Sequence, residues 1–171
     1  HPQSHQGVCA DAIATLEGIA REALDDLALL SQQRAAAAIE GKRFDRSLVP
    51  VYREDGTLAL DHEEFPRPQT TREGLAALQP SFGRLADFKL DEQGTTYGGL
   101  IRQVYPDLKI VHMHHAGNSS GVVDGAGCVL LASAADIKKR GLKPRARIVA
   151  MANVGDSATL MLNAPVPAAR K

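Results

Sequence analysis

Three clusters of side chains in this sequence could do chemistry. His112-Met113-His114-His115 invites a metal, because imidazole nitrogen binds zinc and copper well. On an extended segment His112 and His114 would share a face, with His115 pointing away. No cysteine or carboxylate stands nearby at ligand spacing, so the expectation is hydrogen-bonded histidines at a strand end and no metal site. The second cluster is Ala116-Gly117-Asn118-Ser119-Ser120-Gly121, followed by Asp124-Gly125-Ala126. Its glycines let the backbone approach a ligand closely and leave N–H groups free for an oxygen. A plain turn has the same composition, and on these residues alone both readings stay open. The third cluster is the thiols. Cys9 lies near an expected helix start with His5 within reach in sequence, while Cys128 sits inside an apolar run and should be inert. Their spacing matches no zinc or redox motif, and both are expected to be packing residues.

The elements that must position these residues follow from periodicity. Residues 7–34 read as helical, with Ile13, Leu16 and Ile19 ending a first amphipathic stretch that Gly18 weakens. A second helix is predicted over 21–40, where Leu24, Leu27 and Leu30 stand near helical spacing and Ala35 to Ala38 favour helix. Gly41 can cap it, with Lys42 and Arg43 at the negative end of the dipole. Asp55-Gly56 between two short apolar runs is a hairpin signal. Phe65-Pro66-Arg67-Pro68 must be extended. Thr71 opens a short helix through Leu78, stopped by Pro80, and 83–115 looks like a long excursion of weak periodicity.

Toward the end, 125–132 is a buried-strand candidate, 134–140 a short helix ended by Gly141, and 147–152 a further strand. Strand-helix-strand order indicates an α/β class. Two strands and one helix cannot bury both faces of such apolar strands, so further sheet partners are expected. Composition agrees. Aromatics are 4% with no Trp, which leaves a core of Leu, Ile, Val and Ala without the large burial of aromatic rings.

The 171 residues suffice for one ordinary domain or two very small ones. Lys and Arg number 20 and Asp and Glu 20, which argues against a nucleic-acid binder relying on a broad basic surface. No apolar run approaches the roughly 20 residues that cross a bilayer, so no membrane partner is expected. The opening His1-Pro2-Gln3-Ser4-His5-Gln6-Gly7 lacks the charged-then-apolar layout of a signal peptide. With only two distant cysteines, a reduced cytoplasmic setting is the expectation.

Several segments together carry a family resemblance. His114-His115-Ala116-Gly117-Asn118-Ser119-Ser120-Gly121-Val122-Val123-Asp124-Gly125-Ala126 resembles the thiolase segment A-G-N-A-S-G-x-x-D-G-A-A. Arg43-Phe44-Asp45-Arg46-Ser47-Leu48-Val49-Pro50-Val51 is similar to the thiolase stretch G-R-F-x-x-x-I-V-P. Ala146-Arg147-Ile148-Val149 through Val154-Gly155, then Pro165-Val166-Pro167-Ala168, is similar to R-I-V…V-G…P-x-P-A. The match covers nearly the whole chain.

The resemblance implies part of a thiolase fold: a mixed α+β loop domain over 1–115, with a long insertion at 83–115, then closing strands and helix of the N-terminal thiolase half over 116–171. It implies an acyltransferase acting on 3-ketoacyl-CoA and coenzyme A, as an acetyl-CoA or 3-ketoacyl-CoA acyltransferase. A cysteine thiolate attacks the 3-keto carbon, acetyl-CoA leaves, and a second coenzyme A takes the acyl group from the cysteine. Coenzyme A is then substrate, and no cofactor is needed. In the family this region is the middle of a longer chain, with the nucleophilic cysteine before it and the N-E-A-F, G-H-P and C-x-G-G motifs after it. None of those motifs occurs here, so no catalytic residue is assigned, and this chain alone should be inactive. Its partners would be the missing thiolase segments or a partner chain, and the full-length form would be a homo-oligomer.

The residues that the resemblance assigns to coenzyme A are Ser120 on the pantetheine arm, with Ala116, Gly117 and Gly121 shaping that wall. Arg67 would stand beside the nucleotide end, where a guanidinium suits an adenine face and phosphate. Phe82 resembles the aromatic of the pantetheine tunnel, His5 with Gln6 the His-Met pair at the loop-domain entrance, and Met161 a further pocket methionine. Gln6 in place of Met, Gly74 where a serine often stands, and Ala164 for a glycine depart from the pattern. The alternative is a non-catalytic module that binds coenzyme A thioesters or a partner. Unpaired apolar strands would also make the isolated chain expose hydrophobic surface and self-associate.

Overall fold

The computed structural model describes residues 3–171; His1 and Pro2, which open the stretch read for a leader, lie outside the described residues. Helix α1 (Gln6–Leu16) starts where His5, in extended backbone, accepts a hydrogen bond from the Gly7 N–H on its side chain. It stops at Gly18, whose left-handed backbone (φ 65) lets the Ile19 N–H return to the Ala14 carbonyl. The residue expected to weaken the helix therefore terminates it. Helix α2 (Arg21–Glu40) spans the residues predicted for it. Gly41 is its C-cap but has right-handed φ (−75), and the left-handed position falls on Lys42 instead.

The Asp55-Gly56 hairpin forms as predicted, pairing β1 (Val51–Tyr52) with β2 (Leu58–Leu60) in antiparallel register, Val51 opposite Leu60. Asp55 accepts from the Thr57 N–H and hydroxyl inside the turn. Among the described residues this is the only sheet. Helix α3 (Arg72–Ala76) opens at Thr71 as its sequence predicts, with the Thr71 hydroxyl as cap, but ends before Leu78.

Residues 83–115 hold more structure than their weak periodicity suggests. They form α4 (Gly83–Ala86) and α5 (Tyr97–Arg102), too short to display a helical repeat. Both pack on α1. The core cluster is Val8, Cys9, Ala12, Ala86, Ile101 and Leu160, with Phe82, Leu85 and Met161 against it. Small residues on α1 make this close approach possible: a Cβ on Gly7 would overlap the Phe82 ring.

The strands predicted at 125–132 and 147–152 do not form. Val129 and Leu130 are each 81% exposed and Met151 is 89% exposed. A strand satisfies its backbone only through a neighbour, and none of the described residues supplies one. Between these stretches α6 (Ala134–Arg140) does form and ends at Gly141 (φ 62), as expected, and the Ser133 hydroxyl caps its start. Helix α7 (Pro165–Arg170) closes the chain, with Pro165 at its first position, where a missing N–H costs nothing.

Candidate functional site

Two carboxylates inside the helices organise the polar interior. Asp11 on α1 is fully buried between core residues. Its Oδ2 takes the His112 ring nitrogen Nδ1 at 2.8 Å and its Oδ1 the His114 Nδ1 at 2.7 Å. The backbone N–H groups of Met113 and His114 also donate to Oδ1. Burial pushes this carboxyl up, but the bonds from His114, His112 and the two backbone N–H groups outweigh it and hold the group below its ordinary value. Asp11 is therefore ionised at neutral pH, and both imidazoles carry a proton on Nδ1.

Asp25 on α2 does the same one step further along. Its Oδ1 accepts from His115 Nε2 and Asn118 Nδ2, both at 2.8 Å, and its Oδ2 from Arg21 Nε at 3.0 Å. Burial is again the largest influence and raises the carboxyl; Asn118, Arg21 and His115 together overcome it and lower it. His115 accepts the Gly117 N–H on Nδ1, so its proton must lie on Nε2. The His115 N–H in turn donates to Asn118 Oδ1, and a 3-10 turn (Ala116–Asn118) results. All three histidines of the metal-like cluster are thus engaged by buried carboxylates or backbone, in the hydrogen-bonded role that their sequence suggests.

The residues assigned to coenzyme A by resemblance fall into three places. His5 and Phe82 meet at the start of α1, with ring centroids 5.6 Å apart, and Tyr97 lies 5.7 Å from His5. Gln6, next to them, is exposed, and Met161, in left-handed backbone (φ 61), packs half-buried on the same core. Arg67 is exposed, with its guanidinium 5.8 Å from the Phe65 ring and its backbone N–H held by Gln32 Oε1. Gly121 lies against that same Phe65 ring, which a Cβ would overlap. Ala116 and Ser120 are exposed on the loop, while Gly117 faces Leu75 and Leu78, within 2.6 and 2.8 Å of where its Cβ would be. Arg67 and Gly121 are therefore brought together, as are His5 and Phe82.

Two cavities lie elsewhere. One, about 380 Å³, is lined by Thr15, Ile19, Arg21 and Val111, among others. The other, about 560 Å³, is lined by Asp87, Arg102, Asp107 and Lys109. His112 borders both, and none of the residues assigned to coenzyme A lines either.

The thiols divide differently from expectation. Cys9 is buried, donates to the Thr159 carbonyl, and has its thiol pushed up by burial, with a Ser4 hydrogen bond opposing in part. Cys128 is exposed rather than packed, and among the described residues no strand pairs with the run around it. Sequence reasoning missed Asp11, Asp25 and Arg21. Signals existed: Asp11 interrupts the apolar face of Val8 and Ala12, and Arg21 with Asp25 has the i,i+4 spacing of an ion pair.

Comparison with known proteins gives these positions a context. The family model described as the thiolase N-terminal domain matches residues 1–88. An acetyl-CoA acetyltransferase of Thiocystis violacea is 38% identical over 169 residues, 97% of this chain and 36% of that protein. A beta-ketoadipyl-CoA thiolase of Pseudomonas aeruginosa is 39% identical over 165 residues, covering 95% of this chain and 34% of that protein. An acetyl-CoA acetyltransferase of Escherichia coli K12 is 36% identical over 169 residues, 98% of this chain and 36% of that protein. The chain spans about a third of the length of these curated relatives.

Proposed function

The chain belongs to the thiolase family, and from that premise we propose that it forms the coenzyme A-binding part of an enzyme transferring acyl groups between a 3-ketoacyl-CoA and coenzyme A. One observation carries the reading: relatives whose names specify acetyl-CoA and beta-ketoadipyl-CoA chemistry align along nearly all of this chain. Exposed Ser120 and Ala116 offer polar and small contacts to a pantetheine arm, and exposed Arg67 beside Phe65 offers a cation to a nucleotide phosphate. Phe82 would line the pantetheine tunnel, with His5 and Gln6 at the loop-domain entrance and Met161 as a further pocket methionine.

The carbon–carbon step needs a nucleophilic cysteine. Cys9 is unsuited, since its thiol is buried and raised, and Cys128 matches no family position. The reading therefore places the nucleophile and the proton-moving histidine in segments outside these 171 residues, with 1–115 as loop domain and 116–171 as the end of the N-terminal half. Coenzyme A is substrate, no cofactor takes part, and a homo-oligomer in the cytoplasm belongs to the same reading. Among the described residues no helix is long and apolar enough to cross a membrane.

Calorimetric titration of the protein as encoded with coenzyme A tests this. Saturable binding that weakens about fivefold in Arg67→Ala, roughly 1 kcal/mol, is the expected result. No binding would overturn the proposal. Binding without release of acetyl-CoA from a 3-ketoacyl-CoA would leave a non-catalytic thioester-binding module.

A further inference from the structure

We propose that Asp25 is a positioning residue for the coenzyme A wall, holding the 116–121 loop through His115 and Asn118 without touching the ligand. The inference rests on the coenzyme A reading above and adds to it the group that sets the loop's place.

Three pieces of chain are joined through this carboxylate and its Arg21 partner. From α2, Arg21 reaches Asp25 Oδ2 with Nε and the carbonyls of Leu75 and Leu78 with Nη2, at 2.8 and 2.7 Å. The Leu75 carbonyl lies in the last turn of α3 and the Leu78 carbonyl just beyond it, and both side chains wall Gly117. From the loop, His115 and Asn118 both donate to Asp25 Oδ1. His115 then fixes the Gly117 N–H, and Asn118 fixes the His115 N–H and reaches toward the Met113 carbonyl. The two side chains that cap the 3-10 turn, His115 and Asn118, are both held by one carboxylate, while the turn's own backbone bond runs from the Asn118 N–H to the His115 carbonyl.

Among the described residues no hydrogen bond holds Ser119, Ser120 or Gly121. Their place is inherited from the turn before them and from the Phe65 ring against Gly121. Only the ionised carboxylate satisfies this arrangement, since all three partners donate: an amide at position 25 would turn an N–H toward one of them. Whichever way that amide turns, one of the bonds that join the loop, Asp25 and Arg21 is lost, and the loop's anchor is loosened.

Asp11 is the natural control. It is also buried, accepts four hydrogen bonds and anchors 112–114, but among the described residues it makes no hydrogen bond to 115–121. The test is calorimetric binding of coenzyme A to the protein as encoded, with Asp25→Asn, Asp11→Asn, Ser120→Ala and the Asp25→Asn/Ser120→Ala double variant. Expected are about tenfold weaker binding in Asp25→Asn, less than about twofold change in Asp11→Asn, and a double variant no weaker than Asp25→Asn alone. The ¹H and ¹⁵N shifts of the His115 Nε2–H should also move in Asp25→Asn and not in Asp11→Asn, because only there does its acceptor lose its charge. Should Asp25→Asn not fold, Arg21→Gln loosens the same anchor and should weaken binding about threefold. Equal losses in the two Asp→Asn variants, full additivity with Ser120→Ala, or unchanged affinity in Arg21→Gln would overturn the proposal while coenzyme A binding by the unaltered protein stands. An unaltered protein that does not bind coenzyme A would remove the underlying reading, and this proposal with it.

Discussion

Residues 5–118 and residues 119–156 obey different rules. In the first stretch α1, α4 and α5 close on one another, and Val8, Cys9, Ala12 and Ile101 are sealed from solvent. In the second, Val122, Leu131 and Val149 lie open, although they are as apolar as the residues that pack. Hydrophobicity is therefore not the discriminator. A helix closes its own backbone bonds and needs a neighbour only for its side chains, whereas an extended segment needs one for both. Helix α6 makes the point from inside the open stretch. It forms with no buried residue, because Ser133, Asp136, the Lys138-Lys139-Arg140 turn and Gly141 supply both ends locally.

The largest effect that would sharpen this contrast is at Asp11. Asp11→Ala leaves two imidazoles and two backbone N–H groups without their acceptor and should cost about 3 kcal/mol, whereas Leu130→Ala should stay within about 0.5 kcal/mol. Urea melts of the 171-residue chain read both, and equal losses would break the comparison. Acid should act on the same place. Asp11 and Asp25 lie below their ordinary value when folded, so the unfolded chain binds more protons in that interval. Their stabilisation is complete above about pH 4 and is lost as pH falls through the folded values, and Asp11→Asn should flatten this acid limb.

A smaller loss, about 2 kcal/mol, is expected from Gly7→Ala, which drives a methyl into the Phe82 ring. Melting together with the near-ultraviolet signal of the aromatic rings checks it. Smaller again, Ser133→Ala should cost α6 about 1 kcal/mol. Because α6 buries no residue, hydrogen exchange at Asp136 and Ile137 should quicken while the melting temperature stays put. The least perturbing probe is thiol labelling of the same chain: Cys128 should react at once, and buried Cys9 only on unfolding. Protection of Cys128 would mean that the open stretch finds a partner, in a second copy or elsewhere.

Much was legible because its signals are local. The α2 boundaries, the Asp55-Gly56 hairpin, the Thr71 cap and the Gly141 stop each depend on residues within a few positions. The short helices α4 and α5 were hidden, since four to six residues cannot show a 3.6-residue period. At the candidate site, the loop from Ala116 to Gly121 could be singled out by its composition, but its anchor could not. Asp25 stands 90 positions from His115, and no spacing rule connects them.

By itself, then, the sequence determined the family, the helices with capped ends and the residue types offered to a ligand, because these rest on identity and near neighbours. Tertiary structure alone decided which carboxylate each histidine faces, that Arg67 and Gly121 share one phenylalanine, and that the apolar runs at 125–132 and 147–152 stay unpaired. Those outcomes depend on which distant groups arrive within hydrogen-bond or contact distance, and buried charges and strand edges are stable only when such a partner is there.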